Sequence, residues 1–164
     1  ISFFASYCEP CKKELPYLAK LYELYEKDGF AAVVVTIDKE AEKIQEAKDL
    51  AQKNNVKFPV LSDRFNIVAK RYKIAELPSL FLMDNEGKAL MVESGYTTNI
   101  SKTLLTKIRQ ALGKPTADAI PAELSAFFPS EAKRDSGAAA SQVGQEEKRS
   151  GGDKRKSSST GTSD

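Results

Sequence analysis

The sequence predicts an α/β protein built on one central mixed β-sheet with helices on both of its faces. Apolar runs rich in β-branched and aromatic residues alternate with segments whose apolar residues recur at helical spacing. Two apolar runs in residues 77–95 flank a turn sequence and form a hairpin pattern. The chain has 164 residues and is 41% hydrophobic, which is enough for one packed domain.

The first part of the chain predicts a strand, a helix and a second strand. Residues 1–7 form an apolar, β-prone run that is short enough for a buried strand. The helix that follows carries leucines at helical spacing and ends at Gly29. Residues 30–38 form a continuous apolar run, which suits a strand that is covered on both faces.

An α-β-α insertion is predicted next. The segment 57–63 reads as a short strand and the segment 65–74 as a short helix. They follow a longer helix, one face of which is marked by Ala41, Ile44, Ala47, Leu50 and Ala51.

The hairpin and a last helix, over residues 98–113, complete the predicted domain. A right-handed crossover makes the first two strands parallel neighbours, so the hairpin extends the sheet on the other side of the first strand. The last helix is amphipathic, with its inward face formed by Ile100, Leu104, Leu105, Ile108, Ala111 and Leu112.

The character of the chain changes after the last helix. Residues 113–130 read as a linker with enough apolar residues to dock a short helix, namely Ile120, Leu124, Phe127 and Phe128. Residues 131–164 have almost nothing to bury and are predicted to be a disordered, low-complexity tail. The basic cluster in this tail is interpreted as solvated, in preference to a nucleic-acid or lipid contact.

Composition excludes several function classes. The formal net charge of +2 gives no field that favours nucleic acid or a membrane surface. The absence of histidine removes the usual proton shuttle and the commonest nitrogen ligand for metals. No run reaches the ~18 apolar residues of a membrane span. Because the chain begins with Ile1 inside a predicted strand, we expect the native N-terminus to lie upstream.

The two cysteines, Cys8 and Cys11, enclose a CEPC motif. A structural zinc site takes four Cys or His ligands, so this pair would need a second subunit to complete one. A structural disulfide across two residues closes a very short loop and removes little entropy from the unfolded chain. Two unrelated buried cysteines are the simplest alternative, but the spacing with proline between them favours a redox-active pair.

The context of the motif favours the same interpretation. Cys8 falls where the first strand passes into the first helix, so the amides of the helix N-terminus point at its sulfur and stabilise a thiolate. Pro10 fits the first helical turn, where its missing N–H is not needed, and Pro16 should bend the helix. Cys11, about one turn on, is placed to resolve a mixed disulfide formed at Cys8.

The segment FFASYCEPCKKELPYL resembles the TlpA/ResA group of thioredoxin-fold thiol:disulfide oxidoreductases. The resemblance implies a thioredoxin-like domain over residues 1–112, with the family's N-terminal elements missing. The segment ELPSLFLMDNEGK resembles a second family motif, in which Pro78 stands where the family has a cis proline facing the cysteines. Signature positions of the first motif are occupied by Phe3, Phe4, Ala5, Ser6, Tyr7, Cys8, Pro10, Cys11, Lys12, Glu14 and Pro16.

The resemblance also implies a setting for the protein. It implies protein disulfides as substrates, such as apocytochrome c, and a membrane thiol donor of the CcdA or DsbD kind. It further implies an extracytoplasmic location with an anchor upstream of residue 1. We expect no cofactor, no metal, because only two of four zinc ligands are available, and no nucleic-acid partner, because the charge is nearly balanced. Leu77 would contact an extended substrate strand beside the cysteines, because Pro78 leaves the Leu77 backbone free to pair.

Two positions depart from the family pattern. Ser2 lies six residues before the first cysteine, where thioredoxins carry a buried Asp, so a proton relay from this position is in doubt. ResA-like proteins carry a Glu after the second main strand, close to the thiols. Glu40 is the best match to it, and Asp38 is the nearby alternative.

The sequence therefore favours a reductant of protein disulfides. A carboxylate at Glu9, close to Cys8, disfavours the thiolate and so favours the disulfide form of the enzyme. The alternatives are a binding or scaffold domain that uses the groove beside Pro78, and a peroxidase of the peroxiredoxin type. The peroxidase is the weaker one, because the motif lacks the Thr that precedes the reactive cysteine of those enzymes.

Overall fold

The central strand of the sheet is β1 (Ser2–Phe4), which pairs with a neighbour on each side. The computed structural model of the chain describes residues 1–97, 99–116 and 119–128. Five strands form one sheet in the order β3-β2-β1-β4-β5. The other strands are β2 (Val34–Thr36), β3 (Val60–Ser62), β4 (Ser79–Met83) and β5 (Ala89–Ser94). The α-helices are α1 (Glu9–Tyr25), α2 (Ala41–Lys53), α3 (Ile67–Arg71) and α4 (Ile100–Ala111), and 3₁₀ helices span Glu26–Asp28 and Ala122–Phe127.

The strand directions follow the predicted topology. Ser2 pairs with Val34 in the parallel ladder with β2 and with Leu80 in the antiparallel ladder with β4. The helix between β1 and β2 makes these strands parallel, whereas the tight connection between β4 and β5 makes the hairpin antiparallel. The predicted mixed sheet, with the hairpin beyond the first strand, is confirmed.

The second strand is shorter than its apolar run predicts. Only Val34–Thr36 forms β2, although residues 30–38 were expected to be extended. Phe30 belongs to the end of the preceding helical segment, because its N–H donates to the Tyr25 carbonyl at 3.0 Å across the left-handed Gly29. Pairing with β1 begins only at Val34, so apolar character alone overstates the length of the strand.

Helix α1 runs without interruption from Glu9 to Tyr25 and includes Pro16. The proline has no N–H, so the carbonyl of Lys12 loses its helical donor. The bend predicted at Pro16 stays a prediction. The buried face of α1 carries Leu15, Leu18 and Leu21, so the leucine spacing predicted this helix correctly.

Successive residues of β1 point to opposite faces of the sheet, which gives the protein two apolar layers. Phe4 belongs to the larger cluster with α1 and α4, and Phe3 to a smaller one around Ala69 of α3. In α2, only Ala47 and Ala51 of the predicted inward face are fully buried. Ala41 and Ala111 lie at helix ends and are exposed, so their predicted inward placement is wrong. Ile44, Leu50 and Leu112 are half-buried.

The segment after α4 packs on the domain through its 3₁₀ helix, Ala122–Phe127. Leu124 is fully buried, and the ring of Phe127 lies 5.3 Å from that of Tyr17, centroid to centroid. Arg109 of α4 binds the chain just before this 3₁₀ helix, because its guanidinium donates to the Ala119 carbonyl at 3.2 Å. Ile120, predicted to pack with this group, is exposed. The predicted tail at 131–164 lies outside the described residues.

Candidate active site at the CEPC turn

Cys8 and Cys11 form a disulfide at the start of α1, with their Cα atoms 5.3 Å apart. Cys8 is the N-cap residue, and its sulfur accepts a hydrogen bond from the Cys11 N–H at 3.3 Å. Pro10 occupies the first turn, where no N–H is required. The predicted geometry is therefore present: a helix N-terminal amide points at the sulfur of Cys8.

The two sulfur-bearing residues differ in accessibility. Cys8 is 7% exposed and Cys11 is 1% exposed, so the disulfide is largely covered. Tyr7, directly before it, is exposed, so the solvent-facing side of the turn carries an aromatic ring next to the more accessible cysteine.

The side chain of Glu9, between the two cysteines in sequence, lies at the protein surface. Its side chain is 74% exposed and pairs with the Lys12 ammonium one turn along the helix. Solvent screening and the neighbouring cation both reduce the field that this carboxylate exerts on Cys8. Glu9 therefore tunes the thiol less than its position in the motif suggests.

A buried carboxylate lies on the inner side of α1 instead. Glu14 is 5% exposed, and one of its oxygens accepts a 2.7 Å hydrogen bond from the Ser2 hydroxyl. Among the described residues, its second oxygen, Oε2, has no hydrogen-bond partner. Burial raises the pKa of Glu14 to about 7, against the opposing effect of the Ser2 hydrogen bond.

Glu14 also lines a cavity of about 180 Å³, together with Tyr17, Tyr96 and Phe127. It lies three residues after Cys11, which is the spacing of neighbours on one helix face. Sequence reasoning placed Glu14 in the family signature but gave it no role. The signal that could have found it was this spacing, combined with the buried face of the helix.

The acid after β2 that is close to the turn is Asp38. It is buried, and its carboxylate accepts hydrogen bonds from the Ser6 N–H at 2.8 Å and the Ser6 hydroxyl at 3.1 Å. Glu40 is exposed at the N-cap of α2, and its side chain does not cap that helix. The structure thus brings Asp38, and not Glu40, to the segment that leads into Cys8.

Leu77 and Pro78 approach the same region from β4. The Leu77–Pro78 peptide bond is cis, as the family resemblance predicts, and Pro78 is fully buried. The Pro78 carbonyl accepts a hydrogen bond from Gly95 at 2.8 Å, which holds the proline against the end of the hairpin. Leu77 is half-buried and packs on the cluster that contains Cys8 and Cys11.

The family model of the AhpC/TSA family matches residues 1–90. The chain belongs to the AhpC/TSA family. The thiol-disulfide oxidoreductase ResA of Geobacillus thermodenitrificans is 30% identical over 98 residues, which cover 60% of this chain and 55% of that protein. ResA of Bacillus subtilis is 33% identical over 98 residues, covering 60% and 53%. The chain spans about half the length of these curated relatives.

A solved structure supports the fold of this AhpC/TSA chain. A Chlorobium tepidum protein assigned as thiol:disulfide interchange protein DsbE is 28% identical, with a TM-score of 0.62. The match covers 68% of this chain and 77% of that protein. The fold is therefore thioredoxin-like, as the two sequence motifs predict, and the resemblance to the ResA group is confirmed.

Within residues 1–97, 99–116 and 119–128, no group of three or more His, Cys, Asp or Glu side chains could hold a metal ion. In the same part of the chain, every helix is too short or too polar to cross a bilayer.

Proposed function

We propose that the protein is a thiol:disulfide oxidoreductase that reduces protein disulfides with Cys8 and Cys11. The observation that carries this proposal is the cysteine pair at the N-terminus of α1, with the Cys11 N–H directed at the Cys8 sulfur. A thiolate at this position is stabilised by the helix amides, and a resolving thiol lies one turn away.

The exchange begins from the reduced enzyme. The Cys8 thiolate attacks one sulfur of the substrate disulfide; the substrate S–S bond breaks, and the other substrate sulfur leaves as a thiolate that takes up a proton. The Cys11 thiolate then attacks the Cys8 sulfur of the mixed disulfide. The second substrate thiol is released, and the enzyme keeps the Cys8–Cys11 disulfide, having given up two electrons.

We assign to Glu14 the role of accepting the proton that the Cys11 thiol loses. The almost fully covered Cys11 must lose its proton before it attacks, and solvent has little access to it. Glu14 follows one turn later on the same helix, and its pKa of about 7 lets it accept and release a proton near neutral pH. This carboxylic acid thus replaces the histidine that the chain lacks.

The direction of electron flow follows from a buried acid. A carboxylate in a poorly solvated site makes a nearby thiolate more costly than an exposed carboxylate does. Asp38 is buried at the end of β2 and bonded to Ser6, two residues before Cys8, whereas Glu9 is exposed. This arrangement favours the disulfide form of the enzyme, so the reduced enzyme is an electron donor.

The substrate is an extended polypeptide in this proposal. Leu77 lies beside the buried cluster of the two cysteines, and Pro78 has no N–H to hold the Leu77 segment in the sheet. A substrate strand that pairs with the Leu77 backbone would present its disulfide to Cys8, in the manner of strand addition.

The similarity to ResA supports a finer assignment. On this basis we propose extracytoplasmic disulfides, with apocytochrome c as one candidate, and a membrane dithiol donor of the CcdA or DsbD kind that reduces the enzyme again. No nucleic acid takes part. These assignments rest on similarity and on the redox chemistry, because each turnover leaves an oxidised pair that needs two electrons.

Two assays on the full chain test the proposed function. With dithiothreitol as donor, the protein should accelerate insulin reduction, and a Cys8→Ser/Cys11→Ser variant should not. Hydrogen peroxide consumption should stay at the level of the same double variant. Peroxide turnover without insulin reduction would favour the peroxidase, and inactivity in both assays would favour a binding domain.

A further inference from the structure

The carboxylate of Asp38, at the end of β2, accepts hydrogen bonds from three neutral donors. Asp38 is 3% exposed and accepts hydrogen bonds from the Ser6 N–H at 2.8 Å, the Ser6 hydroxyl at 3.1 Å and the Thr36 hydroxyl at 2.6 Å. Two of these bonds reach across 32 positions of sequence to the segment between β1 and α1. Hydrogen bonds to a charged group are the strong ones, so this is a firm attachment.

The segment that Asp38 binds is the turn over residues 5–8, which leads directly into Cys8. The Cys8 N–H donates to the Ala5 carbonyl at 3.1 Å, which closes the turn over residues 5–8 with Ser6 inside it. From Cys8 onward the chain is helical, and the Cys11 N–H reaches back to the sulfur. The position of Ser6 therefore determines where the helix begins and where the sulfur lies.

We propose that Asp38 is a positioning residue for the cysteine pair: its carboxylate holds Ser6, and thereby fixes the turn that places the Cys8 sulfur under the amide of Cys11. This inference rests on the proposed thiol–disulfide exchange. It assigns to Asp38 no contact with the reacting sulfur atoms. Its effect reaches Cys8 through the backbone of the turn.

Asp63 provides a matched comparison within the same chain. It is also a buried aspartate that follows a parallel strand, β3, and it also binds backbone amides, those of Ile67 at 2.9 Å and Ala69 at 2.7 Å. Those amides belong to α3, which carries no cysteine. Loss of Asp63 removes the same kind of attachment without touching the turn before Cys8.

The experiment compares Asp38→Ala, Asp38→Asn and Asp63→Ala with the wild type in the full chain. Both Asp38 variants lose the charge, but asparagine keeps an oxygen that can accept from Ser6. The readouts are the rate at which the reduced protein reacts with 5,5′-dithiobis(2-nitrobenzoate) and the reduction potential of the pair. We expect Asp38→Ala to react about 2–10-fold more slowly than Asp38→Asn, the factor that corresponds to one lost neutral hydrogen bond.

The two Asp38 variants should also differ in potential. The alanine variant should be the more reducing one, because its thiolate loses the amide of Cys11. Asp63→Ala should match the wild type in both readouts. Equal rates and potentials for the two Asp38 variants, or an equal loss in Asp63→Ala, would overturn the assignment.

A milder change keeps the test decisive if Asp38→Ala does not fold. Ser6→Ala removes only the 3.1 Å bond and should slow the same reaction about 5-fold. In that case, a Ser6→Ala rate equal to that of the wild type overturns the inference. A wild-type protein that reduces neither insulin nor the probe would instead contradict the proposed function, so the two failures are distinguishable.

Discussion

The Ser2 hydroxyl donates a 2.7 Å hydrogen bond to the Glu14 carboxylate, which joins the central strand to the redox helix. In the thioredoxin pattern, the position of Ser2 carries a buried acid. Here the strand supplies only a hydroxyl, and the helix supplies the acid. A buried carboxyl group is thus held between the strand and the helix, and it comes from the helix.

The raised pKa of Glu14 predicts that stability depends on pH. A carboxyl group whose folded pKa lies above its unfolded value favours folding below the unfolded pKa of 4.5, and this contribution is lost as pH rises toward about 7. The loss is about 3 kcal/mol at most. Glu14→Gln should therefore gain stability relative to the wild type between pH 4.5 and pH 8 in urea unfolding.

The comparison of the two proteins isolates Glu14, because the other titrating side chains are common to both. A difference in unfolding free energy between variant and wild type that is the same at pH 4.5 and pH 8 would rule out titration of Glu14 in this range.

The accessibility of the cysteines predicts their division of labour. Cys8 is the more exposed residue and caps the helix, so it should attack the substrate, while the covered Cys11 resolves. Cys11→Ser should accumulate mixed disulfides with a reactive substrate, detected by intact mass. Accumulation in Cys8→Ser instead, or preferential alkylation of Cys11 in the reduced protein, would reverse the assignment.

The exposed ion pair of Glu9 predicts a small electrostatic effect. Exposed pairs contribute about 0–1 kcal/mol, which is about 20 mV for a two-electron couple. Glu9→His should raise the reduction potential by no more than about 20 mV, measured against glutathione. A much larger rise would show that the carboxylate acts on Cys8 despite solvent and Lys12.

Packing of the segment after α4 predicts a selective loss of stability. Leu124 is completely buried, so Leu124→Ala should lower the free energy of unfolding by about 2–5 kcal/mol. Ile120 is exposed in the same segment, so Ile120→Ala should change it by less than about 0.5 kcal/mol. Urea denaturation of both variants measures this, and equal effects would mean that the segment does not dock through Leu124.

Local patterns predicted the architecture well because they report on local physics. The leucine spacing of α1, the crossover rule and the hairpin turn were sufficient to place β2 and the hairpin on opposite sides of β1, although they gave no position for β3. The CEPC context was sufficient for the N-cap geometry of Cys8. The cis bond before Pro78 came from the family resemblance and from no rule of composition.

The acids were harder to predict, because their roles depend on contacts distant in sequence. Asp38 binds Ser6 across 32 positions of sequence. The burial of Glu14 depends on its contact with Ser2 of the strand that lies beneath the helix. A sequence pattern does not show which of two neighbouring acids turns inward, so Glu40 was preferred although it faces solvent. The environment of Glu9 was equally hard to predict, since its pairing with Lys12 is a property of the folded helix surface.

Equilibration of the Cys8–Cys11 pair with glutathione redox buffers tests most directly whether this protein is an electron donor. The covered disulfide and the buried Asp38 carboxylate predict a reversible two-electron couple nearer to the ~−270 mV of thioredoxin than to the ~−120 mV of the oxidant DsbA. A potential close to ~−120 mV, or a pair that does not titrate reversibly, would contradict the account.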